Sequence, residues 1–232
     1  MLTILYEDNH LLAVNKRAML PTMGVSADRP SLLAEAKEYI RRKYEKPGNV
    51  YLGIVSRLDA PVTGVVLLAR TSKAAGRLSR QFRERVVEKV YWAIVEGDVE
   101  PAEGELRDFL RKDERHRRVH VTGEHAAGAQ LAELHYRTLG DEAGEPELRA
   151  VGPMTLLEVR PHTGRKHQIR VQLAQAGFPI VGDRKYGSRR PFAAGIGLHA
   201  RRLAVEHPVS KMQLEIEAPL PASWRTLVDD PY

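Results

Sequence analysis

One carboxylate stands on a short loop between two apolar runs in the stretch SRLDAPVTG, which covers residues 56–64. That carboxylate is Asp59. The run VVLLA at residues 65–69 has the continuous apolar pattern of a fully buried strand, and Pro61 and Gly64 favour a turn before it. A loop held by a buried strand can hold a reactive group rigidly. By itself, however, a loop aspartate is more often a turn cap or a surface carboxylate.

A second informative segment is EKVYWAIVEG at residues 88–97. Its apolar side chains alternate, so that Val90, Trp92 and Ile94 share one face of a predicted strand and Tyr91 lies on the other. Tyrosine is common in strands, and this segment alone therefore favours a packing role for Tyr91.

The third segment is RPHTGRKHQIR at residues 160–170, directly after the apolar run MTLLEV. The order predicts a strand, a turn that contains Arg165, and the start of a basic helix. His162 and His167 do not form an H-E-x-x-H pair and the chain has no cysteine, so we expect no metal site here. Hydrogen bonding within the turn or helix is the expected role of both histidines.

These three motifs, an R-L-D loop, a K-x-Y-x-A-x-V-x-G strand and a T-G-R-x-H-Q-I-R helix start, occur in an order that resembles RluA-type pseudouridine synthases. Those enzymes isomerise selected uridines in RNA. The segments YEDNHLLAVNK (6–16), GDRKYG (182–187) and LHA (198–200) are also similar, so that the resemblance covers nearly the whole chain. Three motifs in the family order are quite specific.

The chain departs from the family pattern at several positions beside these motifs. Ser56 stands where histidine is usual, and Ala60, Pro61 and Val62 replace a polar tail. Near the N-terminus, Lys16-Arg17 replaces the usual Lys-Pro. These changes bear on the substrate and the loop shape more than on the chemistry.

The resemblance implies an α+β protein with the pseudouridine synthase catalytic fold, a largely antiparallel, bent mixed sheet with flanking helices and loops. Strands and helices in no regular alternation favour the same class. We expect a single catalytic domain over residues 1–232, with no separate N-terminal RNA-binding domain. We also predict helices over residues 31–44 and from Ser72, which is expected to cap the second one, strands over residues 131–137 and 212–218, and a turn-rich loop at residues 140–146.

The resemblance also assigns roles to individual residues. Asp59 would either attack the anomeric carbon of the target uridine or remove the neighbouring sugar proton, and Arg165 would keep Asp59 ionised. Tyr91 would pack on the target base and Arg57 would fill the space that the flipped nucleotide leaves. The reaction is an isomerisation, so we expect no cofactor. Asp59, Tyr91 and Arg165 are therefore predicted to line one cleft.

Basic residues supply the expected RNA contacts. The run RKDERHRR at residues 111–118 is either a solvated loop or an RNA-gripping finger, and the second helix carries a basic face for which the same two alternatives are open. The residues that we expect to bind RNA, besides Arg57, are Arg115, Arg117, Arg118, His167 and Arg170.

Composition agrees with an RNA partner. The 232 residues carry a net charge of +6, and a basic balance favours phosphate-bearing molecules. The absence of cysteine excludes disulfides, thiolate zinc sites and cysteine nucleophiles. No apolar run approaches the roughly 20 residues of a membrane helix, and the N-terminal residues lack a secretory signal. We expect a cytoplasmic monomer that acts on ribosomal or transfer RNA.

A second hypothesis is a non-catalytic RNA-binding or RNA-folding protein on the same scaffold. The altered residues around Asp59 favour this alternative, whereas the retained Asp59, Tyr91 and Arg165 argue against it. Nucleotide-dependent enzymes are disfavoured because the sequence has neither a G-x-x-x-x-G-K-[ST] loop nor G-x-G-x-x-G after a strand.

Overall fold

The computed structural model describes residues 2–24, 26, 29–140 and 154–225. The chain divides into two compact units, of which the first comprises residues 1–89 and 200–220 and the second residues 90–199 and 221–232. The predicted loop at residues 140–146 lies, apart from Gly140, outside the described residues. The expectation of a single catalytic domain stays a prediction.

The first unit contains a sheet flanked by two helices. Its strand order is β1-β2-β4-β10, with β3 paired to β4 and β11 paired to β10. The elements are β1 (Thr3–Glu7), β2 (Leu11–Lys16), α1 (Leu32–Lys43), β3 (Gly53–Ile54), β4 (Thr63–Ala69), α2 (Ser72–Glu84), the main part of β10 (Leu198–Glu206) and β11 (Gln213–Glu217).

Strand β4 is buried along its whole length because each of its two faces belongs to an apolar core. Val65 and Leu67 pack in one core with Leu78 of α2. Val66 and Leu68 point to the opposite face, as successive strand residues must, and pack in a second core with residues of α1. The continuous apolar run after the Asp59 loop therefore reflects a strand covered on both sides, as predicted.

The two helices begin close to their predicted positions. Ser31 caps α1, since its hydroxyl accepts a hydrogen bond from the Ala34 amide at 3.3 Å. The prediction that Ser72 caps α2 is wrong, because Ser72 is already helical. Thr71 has the extended backbone of a capping residue, and its hydroxyl accepts from the Ala74 amide at 3.2 Å.

The second unit is built on a five-stranded antiparallel arrangement in the order β5-β9-β8-β6-β7. The predicted strands in this unit are confirmed, whereas β6 and β7 were not predicted. Its elements are most of β5 (Glu88–Glu96), β6 (Glu103–Asp113), β7 (Arg118–Thr122), β8 (Gln130–Thr138), β9 (Met154–Pro161), α3 (Gln168–Gln175), a 3-10 turn (Arg184–Tyr186) and α4 (Ala222–Arg225).

Gly64 allows β4 to approach the neighbouring strand β10 closely at the point where the Asp59 loop ends. Its φ angle is 111°, which side-chain-bearing residues rarely adopt. A Cβ atom at this position would lie 2.2 Å from the carbonyl oxygen of Ala200. The close approach of two main chains therefore requires glycine.

We predict that Gly64→Ala lowers the free energy of unfolding by more than about 2 kcal/mol, because the backbone strain and the steric clash add together. Gly76→Ala is the matched control. Gly76 is exposed in α2, and an added Cβ there meets no described atom within 4 Å, so the substitution should stabilise the helix by about 1 kcal/mol. Urea denaturation measures both changes, and wild-type stability of Gly64→Ala would contradict the close approach.

Candidate active site

The Asp59 loop is anchored to the first unit on both sides of the carboxylate. Before Asp59, the Ser56 hydroxyl accepts a hydrogen bond from the Leu67 amide at 2.9 Å. The Thr22 hydroxyl accepts from the Leu58 amide at 3.2 Å and donates to the Leu58 carbonyl at 2.9 Å. After Asp59, its own carbonyl accepts from the Val62 amide at 3.1 Å. These contacts hold the backbone on both sides of Asp59, and the Ser56 hydroxyl provides one of them.

Lys16 lies directly beneath this loop and is fully buried. Its ammonium group donates hydrogen bonds to three main-chain carbonyls, those of Arg17 at 3.1 Å, Leu20 at 2.9 Å and Ala60 at 3.0 Å. The last of these is the residue after Asp59. Lys16 therefore connects the loop to the end of β2 and places its ammonium group next to the main chain of Ala60.

The charge on Lys16 is coupled to that on Asp59. Burial lowers the pKa of Lys16 from 10.5 to about 7, although the negative charge of Asp59 acts to raise it and Arg17 acts to lower it further. In the sequence, Lys16 is the last residue of the segment YEDNHLLAVNK, and that pattern does not reveal its contact with the Asp59 loop.

The turn that carries Arg165 is held by a buried side-chain network in the second unit. Gln168 accepts two hydrogen bonds at its amide oxygen, from the Thr163 hydroxyl at 2.7 Å and the Arg165 amide at 3.0 Å. The Gln168 amide nitrogen donates to the Glu133 carbonyl at 3.0 Å. Thr163 and Gln168 were not predicted as positioning residues, although both belong to the T-G-R-x-H-Q motif.

The Arg165 guanidinium itself is directed by β8. Its Nε donates to the Leu131 carbonyl at 3.0 Å, and the side chain is half-buried. This contact leaves the terminal nitrogens as a planar fork that can meet a carboxylate or phosphate.

Tyr91 lies half-buried on β5 and is paired in register with Val159 of β9. Val159 is two residues before Pro161, where β9 ends and the Arg165 turn follows. Tyr91 and Arg165 are therefore located toward the same end of the sheet in the second unit. Asp59 belongs to the first unit, and the predicted convergence of all three residues stays a prediction.

The predicted RNA-binding residues fall into two groups. Arg57 is exposed on the Asp59 loop, and Arg115, Arg117 and Arg118 are exposed where the β6–β7 hairpin turns. These four side chains are accessible to RNA.

Arg170 and His167 belong to the second group. Arg170 is buried and makes a bidentate ion pair with Asp183, at 2.6 and 2.9 Å, so the structure does not support its expected contact with RNA. His167 has a left-handed backbone and its Nδ1 lies 2.6 Å from the Tyr186 hydroxyl. This contact joins the start of α3 to the 3-10 turn.

Two further findings concern metal binding and membrane-spanning helices. Within residues 2–24, 26, 29–140 and 154–225, no group of three His, Asp or Glu side chains is placed to hold a metal ion. In the same described ranges, no helix combines the length and apolar character that crossing a membrane requires.

Comparison with known proteins identifies the class. Residues 10–175 match the family described as RNA pseudouridylate synthase. The chain is 31% identical to the uncharacterized RNA pseudouridine synthase YhcT of Bacillus subtilis, over 97% of this chain and 71% of that protein. It is 33% identical to tRNA pseudouridine synthase C of Pectobacterium carotovorum, over 98% of this chain and 61% of that protein.

A solved structure supports the same fold. Human RNA pseudouridylate synthase domain containing 4 superimposes with a TM-score of 0.77 at 24% identity, covering 97% of this chain and 92% of the human chain. The chain belongs to the RNA pseudouridylate synthase family. The predicted resemblance to RluA-type enzymes, the α+β pseudouridine synthase fold and the assignment to an isomerase class that acts on RNA are thereby confirmed.

The lowered pKa of Lys16 predicts how the free energy of unfolding changes with pH. Its pKa is about 7 in the folded protein and ordinarily 10.5, so the unfolded chain binds more protons between these values and stability must rise with pH there. Between pH 7 and 9 the free energy of unfolding should therefore increase, by up to about 1.4 kcal/mol per pH unit from this residue. In Lys16→Met this contribution should disappear.

Lys89→Met is the matched control. Burial lowers the pKa of Lys89 to about 8, so this lysine contributes in the same direction but mainly at higher pH. Chemical denaturation at several pH values should show the loss near pH 7 in Lys16→Met alone. An identical pH dependence in wild type and Lys16→Met would show that Lys16 is not buried as a titrating amine.

Proposed function

We propose that this protein converts uridines in structured RNA to pseudouridine, with Asp59 as the carboxylate that acts on the sugar. Transfer RNA and ribosomal RNA are the proposed substrates. Support comes from relatives named tRNA pseudouridine synthase C and ribosomal large subunit pseudouridine synthase C, both at least 33% identical to this chain. A monomeric state and a cytoplasmic location stay predictions.

The reaction rearranges bonds without gain or loss of atoms. The bond between N1 of uracil and the anomeric carbon breaks, the base turns, and C5 bonds to that carbon. The proton on C5 then leaves, and N1 ends the reaction protonated. Asp59 serves either as the nucleophile at the anomeric carbon or as the base toward the neighbouring sugar proton. Both routes require an ionised carboxylate in a site that excludes water.

The single observation that carries this proposal is the anchoring of the Asp59 loop. Thr22 and Ser56 hold the chain before the carboxylate, and buried Lys16 holds the chain after it. Reactive groups must be positioned within fractions of an ångström. A surface aspartate on a turn would not require a fully buried lysine bonded to its loop, since burying a polar group of this kind is costly.

The remaining residues complete the proposed chemistry. The ring of Tyr91 packs on the target uracil, and its hydroxyl assists removal of the C5 proton. The guanidinium fork of Arg165 is proposed to pair with the Asp59 carboxylate. Arg57 enters the space of the flipped nucleotide, whose removal from a stem costs a few kcal/mol.

Asp59→Asn should reduce the single-turnover rate of pseudouridine formation by at least about 1,000-fold, because an amide can act neither as nucleophile nor as base. RNA affinity should stay within about 3-fold of wild type, because phosphate contacts dominate affinity. The rate is measured on RNA isolated from cells that lack the gene.

Asp98→Asn provides the matched control, since Asp98 is exposed in the turn after β5. It should retain the wild-type rate. A wild-type protein that binds RNA tightly but forms no pseudouridine would favour the non-catalytic RNA-binding alternative. Near-normal turnover by Asp59→Asn would remove Asp59 from the mechanism.

The exposed arginines of the β6–β7 turn generate a second prediction. Replacing Arg115, Arg117 and Arg118 together by alanine should reduce the slope of log affinity against log salt by about 2 to 3 units, because three phosphate contacts are lost. Binding of a structured RNA is measured at several salt concentrations between about 50 and 200 mM.

The control removes three positive charges from exposed positions on α1, with Lys37, Arg41 and Arg42 replaced by alanine. This variant has the same net charge as the triple arginine variant. If both variants change the slope equally, the β6–β7 turn acts through total charge alone and the run at residues 111–118 is a solvated loop.

A further inference from the structure

A cavity of about 720 Å³ lies within the second unit, and Arg165 is not among its lining residues. It is open to solvent and is lined by the β6–β7 hairpin, helix α3 and the 3-10 turn. The volume is within the usual range for sites that bind small molecules. The residues that matter most for its chemistry are Arg118, Val121, Val171, Ala174, Lys185 and Tyr186.

The inner wall of the cavity is apolar and ordered. Val119 and Val171 are buried in one cluster, and Val121 and Tyr186 pack against it. The Tyr186 hydroxyl accepts a hydrogen bond from the Val119 amide at 3.1 Å and contacts His167 Nδ1 at 2.6 Å. These contacts on the hydroxyl orient the aromatic ring.

A second contact fixes the Tyr186 ring from its face. The guanidinium carbon of buried Arg170 lies 5.0 Å from the ring centroid, within the range of a cation–π interaction. Arg170 in turn is held by Asp183. The ion pair with Asp183 therefore keeps Arg170 inside the protein, where its guanidinium supports the Tyr186 ring that forms a flat wall of the cavity.

The rim of the cavity is cationic. Arg118 donates to the carbonyl of Lys185, and the Lys185 ammonium group donates to the carbonyl of Arg117. These two hydrogen bonds connect the hairpin to the 3-10 turn and hold both positive side chains at the edge. Asp113 contributes a negative charge, but its carboxylate is engaged by His116, whose Nδ1 lies at 2.7 Å.

We propose that this cavity binds an unpaired nucleotide of the RNA substrate, distinct from the uridine that is modified. The base lies against the valines and Tyr186, because unpaired bases are recognised by stacking and apolar contact. The adjoining phosphate meets Arg118 and Lys185, since phosphate contacts set the register of nucleic acids on proteins. The inference rests on the proposed function, because it requires an RNA substrate.

The location of the cavity indicates how a nucleotide bound there would contribute to RNA recognition. His167 joins Tyr186 to the motif that carries Arg165, so that a nucleotide in the cavity lies beside the start of α3. A base bound here would place the RNA in a defined register relative to that motif. This nucleotide would therefore contribute to the choice of the uridine that is modified.

The test uses methyl-labelled valine and two variants. Hexauridylate is titrated into the wild-type protein, and nuclear magnetic resonance follows the methyl groups of Val119, Val121 and Val171. We expect all three to shift in a saturable manner. Ala174→Trp fills the cavity and should weaken hexauridylate binding by at least about 10-fold. Ala127→Trp, on the exposed turn between β7 and β8, should not change it.

Lys185→Ala provides a second route if Ala174→Trp fails to fold. It removes a charged partner of the phosphate and should weaken binding by about 10-fold. A double-stranded RNA of equal length should leave the three valines unshifted. Uridine monophosphate should bind at least about 100-fold more weakly than hexauridylate, because it lacks the contacts of a continuous backbone.

The outcomes separate this inference from the proposed function. Valine shifts should persist in Asp59→Asn, whether or not the wild-type protein forms pseudouridine. Tight binding of the monophosphate would assign the cavity to a free nucleotide and overturn the inference. Hexauridylate binding that leaves the valines unshifted, with pseudouridine formation intact, would overturn the inference and leave the proposed function standing.

Discussion

The Asp59 loop depends on the hydrogen bonds that the buried ammonium group of Lys16 donates. Three carbonyls satisfy its three protons, and one of them belongs to the residue after Asp59. A buried charge of this kind is costly unless it is fully hydrogen bonded and paired. The negative charge of Asp59 offsets part of this cost, but burial still lowers the pKa of Lys16 to about 7.

Much of this architecture could be predicted because its signals are local. Helix α1 follows from the spacing of its apolar residues and from the Ser31 cap, and β4 follows from an uninterrupted apolar run. Strands β6 and β7 were missed because charged residues outnumber apolar ones in β6, and because only two apolar residues, Val119 and Val121, alternate in the short strand β7. Although β6 and β7 pair locally with each other, the other partner of β6 is distant in sequence, as the pairing of Arg107 with Glu133 shows. The capping residue of α2 was placed one position late because Thr71 and Ser72 are both good caps.

The site was predictable only through its motifs. Asp59, Tyr91 and Arg165 were selected by resemblance, whereas the residues that hold their backbones were not recognised. Lys16 contacts a loop 44 positions away, and sequence spacing alone cannot reveal such a contact. Arg170 illustrates the opposite error, since a basic residue at the start of a basic helix suggested RNA. Its bidentate pair with Asp183 depends on tertiary packing and places the charge inside the protein.

The central claim is that Asp59 acts on the sugar of a uridine whose base Tyr91 contacts. A crystal structure of Asp59→Asn bound to a stem-loop RNA that contains the target uridine tests it most directly. The distance from the substituted side chain to the anomeric carbon should be about 3 to 3.5 Å. The Tyr91 ring should be in van der Waals contact with the uracil, and an Arg165 nitrogen should lie within about 4 Å of the substituted side chain. A flipped uridine bound far from position 59, with Tyr91 packed elsewhere, would contradict the account.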